Sequence, residues 1–270
     1  GDAFGAVVDG DGAHVSIVSR HADRMELCLF EGGMTRENRR LALPGRQGDV
    51  FFGFVPGLKA GALYGYRAYG PWQPASGHRF DPAKLLVDPY AIALDRPYAY
   101  DPRLSAPPDA AVDTASLVPR AIVTDLPLDA APMPPSIPGF TYELPVRGFS
   151  MRHDGIAPSL RGTLAALAEP ALMDHVAGLG VQTVELMPLC GWIDERHLHA
   201  LGLRNAWGYN PVGFMALDPR LCPGGVRELR ETVAALHAQG IGVILDLVFN
   251  HTGESDIEGS VLSLRGLDNL

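Results

Sequence analysis

Ile241-Gly-Val-Ile-Leu-Asp-Leu-Val-Phe249, followed directly by Asn250-His-Thr252, is an almost wholly apolar run interrupted by one carboxylate. A run of this length, opened by Gly240 and closed by a polar turn, reads as a parallel strand buried on both faces. Upstream, Val226, Leu229, Val233 and Leu236 fall at helical spacing and Gly240 ends that helix. Before it, 181–187 reads as a second strand. A further helix opens at Pro170, carries Leu172, Val176 and Leu179, and stops at Gly180. Residues 142–147 read as the first strand of the series. The order is β-α-β-α-β. Two right-handed crossovers fit either a doubly wound sheet or the opening of a (β/α)8 barrel, and periodicity leaves both open.

The first 95 residues follow a different pattern. Short alternating runs at 14–18, 25–30, 40–43, 50–55 and 64–69 are separated by Asp9-Gly-Asp-Gly12, Glu31-Gly-Gly33 and Pro56-Gly57. Period-two apolarity with turn residues at this spacing predicts an antiparallel β-sandwich. Ten of the 23 prolines lie between Pro97 and Pro138. That stretch, 96–140, has few large apolar residues and reads as an extended connector over the surface. The expected organisation is therefore a sandwich over 1–95, a connector over 96–140 and an α/β unit over 141–270.

Composition narrows the function. The 22 Lys and Arg against 31 Asp and Glu give a formal charge of −9, the wrong sign for holding a nucleic acid by counterion release. The three cysteines are far apart, without a CxxC pair, so neither a disulfide framework nor a zinc site is expected. The sequence contains no apolar run of about 18 residues and no basic and apolar leader at Gly1 to Gly12. No membrane contact is expected, and the expected location is the cytoplasm.

Two places carry chemistry. A carboxylate in the run around Asp246 costs several kcal/mol unless it is paired or faces a polar cavity. Asp246 and the following His251 both lie toward the carboxyl end of their strand, the functional face of either α/β architecture. The same residues also suit a purely structural role, fixing a neighbouring loop. The second place is the long segment 189–223, whose apex reads Arg204-Asn-Ala-Trp-Gly-Tyr-Asn-Pro211. Trp207 and Tyr209 beside Gly208 suit a platform for the apolar face of a sugar, a role that uses the ring rather than the hydroxyl.

Taken together, the segment 66–90 with Gly70-Pro-Trp-Gln-Pro-Ala-Ser-Gly-His-Arg-Phe80 and Asp88-Pro-Tyr90, the stretch Tyr142-Glu-Leu-Pro-Val-Arg-Gly-Phe149, Val184-Glu-Leu-Met-Pro188, Asp194-Glu-Arg-His-Leu198, Leu203-Arg-Asn-Ala-Trp-Gly-Tyr-Asn-Pro211 and Asp246-Leu-Val-Phe-Asn-His-Thr252 resemble the isoamylase and glycogen-debranching branch of glycoside hydrolase family 13. The resemblance runs in order through nearly the whole chain and is weakest over 96–140. It implies an N-terminal, immunoglobulin-like sandwich similar to carbohydrate-binding module family 48, then a (β/α)8 TIM barrel, and an intracellular, branched α-glucan substrate.

By the same resemblance, Asp246 and His251 line the −1 sugar subsite, Tyr209 stacks on that sugar, and Glu185 supports the barrel interior. Asn250 matches a calcium-ligating position of some relatives, but no further ligand is identifiable, so neither a metal nor a cofactor is expected. In the family the nucleophilic Asp, the acid/base Glu and a third Asp follow the fourth, fifth and seventh strands. Only three strands are recognisable here, so the chain is expected to be an N-terminal portion of a retaining α-1,6-glucosidase, inactive alone. The alternatives are a non-catalytic glucan-binding protein, with Trp72 as its first candidate contact, and a related α-glucan enzyme such as a trehalose-releasing hydrolase.

Overall fold

The computed structural model describes residues 4–125 and 139–268. Ten strands precede residue 126: β1 (Gly5–Asp9), β2 (Gly12–Val18), β3 (Arg24–Phe30), β4 (Arg39–Ala42), β5 (Gly45–Gln47), β6 (Val50–Pro56), β7 (Leu63–Tyr69), β8 (Trp72–Gln73), β9 (His78–Arg79) and β10 (Ala121–Ile122). They form two four-stranded antiparallel sheets, β1-β2-β6-β5 and β10-β7-β3-β4, and a small β8-β9 hairpin. Alternation drives the packing. In β6, Phe51 and Val55 point inward while Phe52 and Phe54 stay exposed. Inward residues of the two sheets, among them Val15, Ile17, Met25, Leu27, Phe51 and Tyr66, make one core. Each such side chain contributes about 1.5–3 kcal/mol by leaving water. The first hairpin pairs Asp9 with Gly12 across a two-residue turn in which Gly10 takes φ +59°, a conformation other residues rarely adopt.

The Pro-rich stretch is more than a surface strap in its described part. β10 adds a strand beside β7, and Tyr98, Leu104, Ala115 and Val118 are buried together with Cys28 and Phe30 of β3 and with Ile193, Val212 and Leu262 of later segments. The stretch cannot build a core of its own, but its scattered apolar residues fill the space between the sandwich and the elements that follow. Fully buried Arg67 of β7 ties it down further, reaching Glu37 at 3.0 Å and Asp113 at 2.8 Å. The rest of the connector expectation, 126–138, lies outside the described residues.

From residue 139 the chain forms β11 (Phe140–Leu144), α1 (Val146–Ser150), α2 (Pro170–Gly178), β12 (Val181–Leu186), α3 (Arg196–Ala200), α4 (Gly225–Ala238), β13 (Gly242–Leu245) and α5 (Leu264–Leu267). β11, β12 and β13 are parallel and adjacent in that order, with Glu143 opposite Glu185 and Glu185 opposite Ile244. Leu144, Val184, Leu186, Leu172, Val176 and Leu236 share a second core on the helical side. Local departures from the sequence reading have simple causes. The first strand stops at Leu144 because Pro145 introduces α1. Leu179 caps α2 and is exposed. On α4 the buried row is Glu228, Thr232 and Leu236, since Glu228 turns inward to accept from the backbone NH groups of Ala165 (2.8 Å) and Gly224 (2.6 Å).

β13 is not buried on both faces. Among the described residues it pairs only with β12, and Ile244, Leu245, Leu247 and Phe249 are 44%, 39%, 41% and 60% exposed. Beyond it the chain returns to the sandwich. The NH of Val87 donates to Leu262 O and the Ser263 hydroxyl to Val87 O, while Val261 and Leu267 enter the sandwich core. Among the described residues no helix is long and apolar enough to cross a membrane.

Candidate functional site

The three parallel strands have two unlike faces. Leu144, Val184 and Leu186 face the helices, whereas Glu143 and Glu185, opposite each other, share the other face with Ile244 and, two residues on, Asp246. The Asp246 NH continues the ladder to Leu186 O at 3.0 Å, so the carboxylate sits at the carboxyl end of β13. A strand pattern that places acidic groups at successive positions across one face makes a polar floor that the second core cannot absorb.

The segment between β12 and α4 brings Tyr209 over this floor, and its turn is built by polar side chains. Asn205 accepts from the NH groups of Trp207 and Gly208, both at 2.9 Å, and donates to Glu195 Oε1 at 2.9 Å. Its own NH donates to Asp194 Oδ1 at 2.9 Å. Gly208 takes φ +82°, and a Cβ there would come within 2.9 Å of the Pro188 carbonyl, so only glycine fits. Asn210 then anchors the far side by donating to Ile193 O at 2.7 Å.

In the resulting arrangement the Tyr209 hydroxyl donates to Asp246 Oδ2 at 2.5 Å, and His251 Nε2 lies 2.9 Å from the Tyr209 carbonyl oxygen. The structure therefore brings Tyr209, Asp246 and His251 to one place. The hydrogen bond to Asp246, then burial and the charges of Asp246, Glu143 and Glu185, push the Tyr209 phenol up to about 12. It stays a donor at neutral pH. Trp207 is 67% exposed and overhangs a cleft of about 370 Å³ between Arg147, Met187, Pro188, Trp192 and Arg204. Its apolar walls and arginine rim suit an amphipathic ring. Trp72 is half-buried in β8, away from these residues in the chain.

Sequence reasoning missed the bond between the Tyr209 hydroxyl and Asp246, and it missed Glu143. The signal for Glu143 was present, since Thr141-Tyr-Glu143 and Thr183-Val-Glu185 repeat the same period-two polar pattern on adjacent strands.

The fold defines a class: a β-sandwich joined to a parallel β-α-β-α-β unit. Residues 3–91 match carbohydrate-binding module 48, the isoamylase N-terminal domain. Over 98% of its length the chain is related to glycogen debranching enzymes, being 46% identical over 277 residues to one from Yersinia pseudotuberculosis serotype IB, of which it covers 41%. A glycogen debranching enzyme of Yersinia enterocolitica is 46% identical over 278 residues and covered to 42%. The chain thus spans about two fifths of the curated relatives it matches. Among solved structures, a pullulanase from Anoxybacillus sp. complexed with maltotetraose superposes with a TM-score of 0.70 at 23% identity, over 99% of this chain and 37% of the pullulanase. The catalytic module of a glycogen-degrading pneumococcal virulence factor gives 0.71 at 20% identity, over 95% and 38%. At those identities the likeness is one of fold.

Proposed function

We propose that these residues are the N-terminal part of a cytoplasmic glycogen-debranching hydrolase that cleaves α-1,6 branch linkages of glycogen or a related α-glucan with retention. In this reading 1–95 is the carbohydrate-binding-module-like sandwich, 96–140 a connector and 141–270 the first three βα units of a (β/α)8 barrel. The polar face of Glu143, Glu185 and Asp246 supports the barrel reading, because it becomes a lumen once further strands close the sheet. So does the exposed apolar edge of β13, which a fourth strand would cover.

The observation that carries the proposal is the contact of Tyr209 with Asp246, and of His251 with the Tyr209 backbone, at the carboxyl end of parallel strands. Asp246 Oδ2 is taken by the tyrosine, which leaves Oδ1 to accept from a sugar hydroxyl. The Tyr209 ring offers a stacking face, and His251 steadies the Tyr209 backbone beside it. These groups hold a glucosyl unit and do not break the bond. Retaining hydrolysis needs a nucleophilic carboxylate and an acid/base carboxyl about 5–5.5 Å apart. Both are assigned to strands beyond residue 270.

The test is Tyr209 substitution in the full-length enzyme, read as kcat/KM on branched glucan. Tyr209→Phe keeps the ring but removes a hydrogen bond to a charged group, worth about 1.5–3 kcal/mol, so a loss of roughly 10–100-fold is expected. Tyr209→Ala removes the ring as well and loses more. Wild-type kcat/KM in Tyr209→Ala would remove the residue from the site and the proposal's main support with it.

A further inference from the structure

At the junction of the sandwich with the segment that returns from β13, two imidazoles and a carboxylate converge from distant parts of the chain. His21 lies between β2 and β3, His78 opens β9 and Asp268 follows α5. His21 Nδ1 is 3.0 Å from Asp268 Oδ1, and the His21 and His78 rings are 4.7 Å apart between centroids. One donor atom from each of the three residues lies within 4.8 Å of the other two. The carboxylate is held in place by the NH groups of Arg20 and His21, which donate to Oδ2 at 2.7 and 3.1 Å. Nδ1 of His78 is buried and has no hydrogen-bond partner among the described residues. A buried, unpaired ring nitrogen costs free energy unless something else satisfies it.

We propose that His21, His78 and Asp268 bind a divalent transition ion of the zinc type, at a site separate from the Tyr209 and Asp246 cluster. Two imidazoles and one carboxylate are the donor types such ions select, whereas magnesium and calcium take sets of oxygen ligands. The 3.0 Å between His21 Nδ1 and Asp268 Oδ1 is a few tenths of an ångström short of the roughly 3.4 Å between tetrahedral donors that each lie about 2.1 Å from a common ion, so a small separation of the two side chains admits one. A ring nitrogen of His78 supplies the third ligand. The three cysteines, all buried, are not competing sites. An ion here would link the turn after β2, the β8-β9 hairpin and the segment after α5, so it would bind the folded chain in preference to the unfolded one and stabilise it by mass action.

The test is zinc titration of metal-stripped, full-length protein by calorimetry and thermal melting, with magnesium and calcium as controls. One equivalent of zinc should bind in the micromolar range or tighter and, at 100-fold excess over its Kd, raise Tm by about 2 °C. His78→Phe keeps an aromatic ring against His21 and Phe80 but removes both ring nitrogens. It should leave the metal-free Tm unchanged and weaken zinc binding by more than the roughly 10–100-fold that loss of a mere outer-shell partner causes. Should His78→Phe fold poorly, Asp268→Asn, which still accepts from both NH groups, provides the same comparison. Zinc binding no tighter than magnesium binding, or equally tight in the folded variants, would overturn the site.

Discussion

Glu254 should be the residue on which the docking of the returning segment depends. Its carboxylate is 2% exposed and accepts from three backbone NH groups: Leu262 at 2.7 Å and Ser263 at 2.8 Å on Oε1, and Arg265 at 2.9 Å on Oε2. Burial raises its pKa and the three NH groups pull it back. Glu254→Ala strands three buried donors, each costing about 1–3 kcal/mol, but relieves the desolvation of a buried charge, so a net loss of about 2–4 kcal/mol is expected. The loss is capped by the free energy with which Val261, Leu262 and Leu267 dock, because beyond that point the segment opens locally. Glu254→Gln keeps an acceptor for Leu262 and Ser263 but sets an NH2 group against the Arg265 NH, for about half that loss. Urea unfolding gives the stability and amide exchange its location: protection should fall first at Leu262, Ser263 and Arg265. Unchanged midpoint and unchanged protection of those three amides in Glu254→Ala would refute the reasoning.

Two other predictions concern the sandwich. Burial raises the Asp88 carboxyl from 3.8 to about 6, against the hydrogen bonds from Tyr64, the Tyr90 NH and Tyr66. The folded state therefore holds its proton longer than the unfolded state. This contribution to stability, about 3 kcal/mol, is fully present below pH 3.8 and is lost as pH rises through 6. Asp88→Asn should flatten that part of the urea-midpoint profile, and an identical profile would count against it. Arg67 is 0% exposed and donates to the carbonyls of Pro82 and Ala83 as well as to Glu37 and Asp113. Arg67→Met should cost about 2–4 kcal/mol by leaving the Pro82 and Ala83 carbonyls without this donor and Glu37 with Arg40 as its remaining cationic partner, Arg67→Lys clearly less, both read as urea midpoints.

The fold was legible where periodicity is local. Alternation marked β2, β3, β6 and β7, and the run at Ile241 marked β13 with its site aspartate. β1 and β5 are short and lack strong alternation, while β10 is two residues whose strand geometry comes from pairing with β7. No local signal reveals such tertiary pairing. The burial pattern of α4 could not be read from hydrophobicity either, because its inward row includes a glutamate that serves backbone NH groups of another segment. In the site, Tyr209, Asp246 and His251 came from a carboxylate in an apolar strand and from a resemblance of motifs. Their mutual contacts required the path of the loop, which Asp194, Glu195 and Asn205 set.

The central proposal is that this chain carries the glucan-positioning part of a debranching enzyme, with the bond-breaking carboxylates on later strands. The measurement that tests it most directly is reducing-end release from glycogen by full-length protein beside purified residues 1–270. The account predicts turnover by the full-length protein and none by residues 1–270 alone. Turnover by residues 1–270 that survives rigorous purification, or none by the full-length protein on branched glucan, would contradict it.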